Sequence, residues 1–212
     1  MAVATEADKQ VDLRSVRPGA FDDSPRGRVL TAMVEVVAHG GYRETTVDRV
    51  LERARVGWSE FIGLFEDLDA CFLATLDAGL ESALDRAEAA IAACDPSADI
   101  GSTFGAALRA VLEAAAASPD LTRLCLVDAA DLGAPALERR QLGLQRFVEL
   151  IERQLGEPRT GDPGATGGLA AEMVVGGVYE VVQHKVRGGE TRQLPGLADE
   201  LGQLWLPALR HR

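Results

Sequence analysis

Residues able to do covalent or metal chemistry are few and scattered in this sequence. The three cysteines, Cys71, Cys94 and Cys125, form no C-x-x-C pair and have apolar flanks of helical pattern. Thiols so placed are expected to be small buried side chains kept reduced. The three histidines, His39, His184 and His211, stand far apart with no H-E-x-x-H spacing, so no metal site is expected. Neighbouring carboxylates could share a proton in acid–base catalysis, and they occur at Asp22–Asp23 and at Asp67 and Asp69. The first pair lies in a polar segment. The second falls in the first turn of a helix, where the helix dipole favours negative charge. There is no G-x-G-x-x-G after a strand, no P-loop and no G-x-S-x-G. The expectation is a protein without catalytic residues, metal or cofactor.

The elements around those residues are helical. The chain has 212 residues, 47% of them apolar but only 5% aromatic. It is long enough to bury a core without staples, and its Ala, Leu and Val favour helix over strand. No apolar run approaches the ~20 residues of a membrane span. Residues 1–23 are polar, mixed in charge and unlike a signal peptide, so they are expected to form a flexible tail on a cytoplasmic protein. The net charge of −11 argues against indiscriminate coating of nucleic acid. It leaves room for a DNA reader, because only the contacting face must be positive.

The predicted order is an all-α fold of about nine helices, three short ones first. Ser24 is the expected N-cap of helix one, with Pro25 at its first position and Gly40–Gly41 ending it. In "TTVDRVLERA", Thr45 and Asp48 have capping-box spacing, and Val47, Val50, Leu51 and Ala54 form an inner face. A tight turn at Gly57 follows, and Phe61, Leu64 and Phe65 recur at helical spacing as expected core. A long helix then runs to a break at Asp95–Pro96, with Ser97 or Asp99 capping the next. Further helices are predicted to about Ala117, over Pro135 to about Leu155, over 169–187, and at the C-terminus, with a loop over "GEPRTGDPGATGG".

A first helix, a short helix, a tight turn, a second short helix and a long helix with an acidic start make a specific arrangement. "GYRETTVDRVLERARV" followed by "FIGLFEDLDACFLATLD" resembles the N-terminal DNA-binding domain of the TetR family of bacterial transcriptional regulators. About 50 residues carry the resemblance. It implies a helix-turn-helix head over 24–69 and a helical effector-binding and dimerisation body over 70–212. In such a motif Val56 anchors the turn and Gly57 lets the chain reverse, so that the second helix can enter the major groove. The resemblance implies DNA contact by Arg28, Arg43, Thr45, Thr46, Arg55, Gly57, Trp58, Ser59, Glu60 and Ile62. Thr45 and Thr46 would hold phosphate with the amides of helix two, and Glu60 could accept a hydrogen bond from a cytosine amine.

The head departs from the family pattern. Arg55 replaces the usual turn glycine, Ile62 and Gly63 stand where a large polar residue is common, and Leu68 replaces a phosphate-binding Lys. Over 24–70 the arginines 26, 28, 43, 49, 53 and 55 are outnumbered by acids at 35, 44, 48, 52, 60, 66, 67 and 69. Phosphate contacts dominate affinity, so binding should be weak or lean on a few well-placed arginines.

In the body, a bundle of this size can hold a ligand between its helices. The candidate lining is Phe104, Leu108, Leu112, Leu124, Phe147 and Met173, with Arg109, Arg123 and Asp128 for polar contact. The two C-terminal helices are the expected dimer surface. Gly176 and Gly177 interrupt an apolar helix at about 1 kcal/mol each, a cost that close helix approach would explain, and Leu201, Leu204 and Trp205 supply a second apolar face. The resulting expectation is a homodimeric regulator, most often a repressor, that leaves its operator DNA when a small-molecule effector binds. The alternative is a dimeric helical binding module of the same fold whose head no longer binds DNA.

Overall fold

The computed structural model describes residues 21–155 and 167–210, with side chains as far as Trp205. The expected tail up to residue 20, the centre of the glycine-rich loop and His211 therefore lie outside the described residues. Ten α-helical segments are present: α1 (Pro25–Gly40), α2 (Val47–Ala54), α3 (Trp58–Ile62), α4 (Leu68–Ala92), α5 (Ile100–Ala117), α6 (Pro119–Arg123), α7 (Ala129–Leu132), α8 (Ala134–Leu155), α9 (Gly167–Arg187) and α10 (Ala198–Arg210). A π-helical turn, Leu124–Asp128, joins α6 to α7 without a break. Counted as one, they bring the total to nine helices, and no strand occurs among the described residues. No described helix is long and apolar enough to cross a membrane.

The helix ends follow local chemistry. Ser24 accepts from the Gly27 amide at 3.1 Å and Pro25 opens α1, while Gly41 at φ 76° closes it. Asp67 caps α4 by accepting from the Ala70 amide at 2.7 Å, and Asp99 caps α5. Carboxylates at these N-termini satisfy free amides and oppose the helix dipole. Phe21 belongs to this ordered start, half-buried against the core with its amide donating to Thr31 Oγ1 at 3.1 Å.

One apolar cluster unites the head with the body. It runs from Val29, Met33 and Val37 of α1 through Val50, Val56, Phe61 and Phe65 to Phe72, Leu76 and Leu80 of α4, and on to Leu124, Cys125 and Ala136. A second joins α5 to α9 and α10 around Leu108, Leu112, Val182, Val186 and Leu201. A third lies between α4, α5 and α8 around Leu84, Ala107 and Leu150.

Helices α4 and α8 are pinned by charge and by shape. Arg139, Arg146 and Arg153, one per heptad, pair with Asp77, Glu81 and Glu88 in increasing order, so the two helices run parallel. Beside this ladder Leu80 fills the space left by Gly143, where a Cβ would collide with the leucine side chain.

Candidate nucleic-acid interface

The entry to α2 differs from the expected capping box. Thr45 is buried and its hydroxyl donates inward to the Gly41 carbonyl at 2.9 Å, closing the 3-10 turn Tyr42–Glu44. Thr46 takes the N-cap one residue later, accepting from the Arg49 amide at 3.4 Å. Thr46 is therefore exposed at the start of α2, whereas Thr45 holds the fold and has no hydroxyl free for phosphate. The same turn is tied to α4. The Tyr42 hydroxyl donates to Asp69, and its ring meets Phe72 edge-on at 4.6 Å. Burial and the neighbouring carboxylates push that hydroxyl's pKa well above its ordinary value.

The helix-turn-helix turn is also made differently. Arg55 adopts the left-handed conformation (φ 54°, ψ 48°), alone among the described non-glycine residues in having positive φ. Gly57 has an ordinary extended conformation (φ −77°, ψ 157°). The expectation that Gly57 reverses the chain is thus corrected: Arg55 makes the reversal, at a steric cost. Val56 is buried, as the turn requires. A Cβ at Gly57 would meet nothing within 4 Å, so the glycine leaves open surface.

Phe61 and Phe65 hold α3 to the core, their rings 5.6 Å apart. Its other side chains point outward. Trp58 is 57% exposed and Ile62 53%, and Ser59 and Glu60 are exposed beside them. Trp58 lies on Phe61 at 6.3 Å. Leu64, expected in the core, sits at the exposed margin because α3 ends at Ile62 and turns it outward.

The head's arginines separate into held and free. Arg28 Nε donates to the Ala54 carbonyl at 3.3 Å and Nη1 to Asp23 O at 2.8 Å, so it pins α1 to the end of α2. Arg53 pairs with Glu35. Arg43 reaches Asp131 at 3.5 Å with both side chains exposed. Arg49 donates to the Glu44 carbonyl at 2.8 Å, and Arg26 lies over Phe65 at 5.2 Å. The Arg55 side chain is exposed and has no partner among the described residues. Leu68 is half-buried against the core.

The body does not bring the effector candidates together. Leu124 belongs to the cluster under the head, Phe104, Leu108 and Leu112 to the α5–α9–α10 cluster, and Phe147 to the third. Met173 is 56% exposed on α9. Arg109 pairs with Asp199 and so ties α5 to α10. Arg123 meets buried Asp128 at 3.4 Å and lines a cavity of about 250 Å³ with Glu190 and Arg192. Burial raises the Asp128 carboxyl pKa, and Arg123 offsets part of the rise.

A larger groove, about 410 Å³, opens between α8 and α9 beside Arg140, Leu144, Glu172, Gly176 and Tyr179. The Arg140 guanidinium lies 5.3 Å from the Tyr179 ring and donates to the Leu126 carbonyl at 3.2 Å. Gln183 donates to the same carbonyl at 2.7 Å. Sequence reasoning passed over Arg140, although it lies just off the heptad row of arginines that face α4.

The dimer candidates divide as well. Gly177 faces the chain's own Trp205, whose indole occupies the place of a Cβ, so this close approach is made within one chain. Leu201 is buried in the second cluster. Gly176 is open, and Leu204 is 64% exposed. Leu169 and Met173, exposed at helical spacing, share the Gly176 face of α9, which is left uncovered within the chain. Among the described residues no three His, Cys, Asp or Glu side chains could hold a metal ion.

An all-α chain with a three-helix head feeding a long helix into a bundle has the TetR-like regulator fold. Solved structures similar to it include the fatty acid degradation regulator FadR from Bacillus halodurans, with TM-score 0.74 and 18% identity over 89% of this chain and 98% of that one. FadR from Bacillus subtilis, in complex with stearoyl-CoA, has TM-score 0.71 and 17% identity over 85% and 97%. A TetR-like transcriptional regulator from Rhodococcus sp. RHA1 has TM-score 0.66 and 20% identity over 90% and 98%. At these identities the similarity is one of fold. No protein-family model and no curated protein matches the sequence.

Proposed function

We propose that this chain is a ligand-responsive DNA-binding transcription regulator, a repressor that binds its operator as a homodimer and is released by a small-molecule effector. The observation that carries this reading is the outer face of α3, exposed and unpartnered at the second position of a helix-turn-helix. Regulators of the same fold support it. Head 24–69 would read DNA, and body 70–212 would bind the effector and pair the chains. The uncovered surface of α9 and α10 fits pairing with a second copy. Two heads would then meet half-sites about 34–36 Å apart or a multiple. The groove beside Arg140 is the effector site to test first. Acyl-CoA is one class to try, because a FadR of this fold holds stearoyl-CoA. Effector coupling is typically about 1–3 kcal/mol.

The test is titration of a labelled duplex from the gene's own upstream region against a scrambled duplex at two salt concentrations. Sequence-dependent binding that weakens with salt supports the regulator. The second reading, a dimeric binding module that does not bind DNA, is favoured by Leu68 and by Arg28 and Arg53 being held within the fold. No preference for the upstream or neighbouring promoter duplexes would support it.

A further inference from the structure

The side chains that α3 offers outward are unusual for a DNA reader in carrying no positive charge. Phe61 points into the core, so at 3.6 residues per turn Ser59 lies opposite it, Ile62 and Glu60 stand about 100° to either side of Phe61, and Trp58 lies nearer the core on the Ile62 side. In the major groove guanine presents two acceptors, O6 and N7, and is matched best by the bidentate donors of Arg or Lys. Cytosine presents an N4 amine, matched by a carboxylate. Thymine presents a C5 methyl, matched by apolar surface. Ile62 can cover a methyl and Glu60 can accept from the cytosine amine. Glu60 would meet guanine's acceptors with its own negative charge.

Free positive charge elsewhere in the head fits a polyanion. Arg49 and Arg55 are exposed and have no carboxylate partner among the described residues, even though acids outnumber arginines in the head. They are available to phosphate from the same head, while α3 itself reads without cations. From this arrangement, and resting on the DNA-reading function proposed above, we infer that Ile62 and Glu60 are specificity-determining residues. They select half-sites with a thymine methyl against Ile62 and a cytosine amine at Glu60, with guanine disfavoured at the Glu60 position. Trp58 is a less clean reporter, because its ring also packs on Phe61.

The experiment is selection of duplexes from a random pool by the full chain, followed by single-position replacement of each enriched thymine by deoxyuracil. Deoxyuracil pairs identically but lacks the methyl. One critical methyl per half-site should cost about fourfold, the worth of burying a single methyl group. The Ile62→Ala variant, altered at an exposed position, should bind thymine and uracil duplexes equally. Glu60→Gln should relax the exclusion of guanine at one position. Enrichment without uracil sensitivity, or an enriched guanine that Glu60→Gln does not affect, overturns the inference and leaves the regulator intact. Failure to enrich any duplex at low salt overturns both. So does self-association of the chain that Ile62→Ala weakens with no duplex enriched, since α3 would then be a protein contact.

Discussion

The indole of Trp205 lies where a side chain at Gly177 would have to be, so α9 and α10 of one chain meet at bare backbone. Gly176, one residue earlier, faces open space. Adjacent Gly→Ala substitutions should therefore have opposite effects. Gly177→Ala should destabilise the chain by about 1–3 kcal/mol through overpacking, read by chemical denaturation. Gly176→Ala should raise intrinsic helix stability by up to about 1 kcal/mol. If α9 pairs with a second copy at Gly176, the same change should weaken the dimer in sedimentation. A gain in stability with an unchanged dimer would move the interface elsewhere.

Arg55 combines a strained backbone with a free charge, and the two should separate on substitution. Arg55→Gly relieves left-handed strain and should stabilise the fold by about 1 kcal/mol. It should also lower duplex affinity and flatten its logarithmic salt dependence by about one unit for each phosphate that the arginine neutralised. A variant of unchanged affinity would remove Arg55 from the DNA-facing surface.

The thiols should differ in reactivity. Cys71 and Cys125 are buried, and burial pushes both thiol pKa values to about 12. Cys94 is half-exposed near the end of α4. An alkylating reagent at neutral pH should modify Cys94 in the native protein and the other two only after unfolding, as mass mapping would show. Native labelling of Cys125 would mean that its packing against Gly79 and Leu76 opens readily.

Asp128 gives a pH dependence of defined sign. Its folded pKa lies above the ordinary carboxylate value, mainly through burial, with Arg123 opposing the shift. The folded state therefore binds this proton more tightly than the unfolded state, and the group's contribution to stability falls as pH rises between the two values. Asp128→Asn should raise the melting temperature at neutral pH. The gain should shrink as pH is lowered toward the ordinary carboxylate pKa. A pH-independent gain would assign the effect to packing.

Helical periodicity made the order of helices and the inward face of α2 readable in the sequence, and residue type made the caps of α1 and α5 readable. It did not show which element each inward face meets. A glycine pair in an apolar helix looks the same whether the second helix belongs to the same chain or to another copy. Gly177 and Leu201 proved to be internal, while Gly176 and Leu204 stayed open. Thr45 and Thr46 could exchange roles for a similar reason, since capping depends on where the preceding 3-10 turn closes. Residue type suggested Gly57 as the turn-maker, and only the backbone shows Arg55 in that position. Most effector candidates were chosen for apolarity, which core and pocket share, so all the apolar ones except Met173 fell into three packed clusters.

Carboxylates on α4 recur at 77, 81, 85 and 88. If α8 slid by one turn along α4, Arg139 would meet Glu81 and Arg146 would meet Asp85. Arg153, brought to Ala92, would lose its partner, so two of the three ionic rungs are indifferent to a one-turn displacement. The notch in which Leu80 fills the gap at Gly143 is not, because any slide drives the leucine against a neighbouring side chain. Charge sets the direction in which the two helices run, and one missing methyl sets how far along each other they stand.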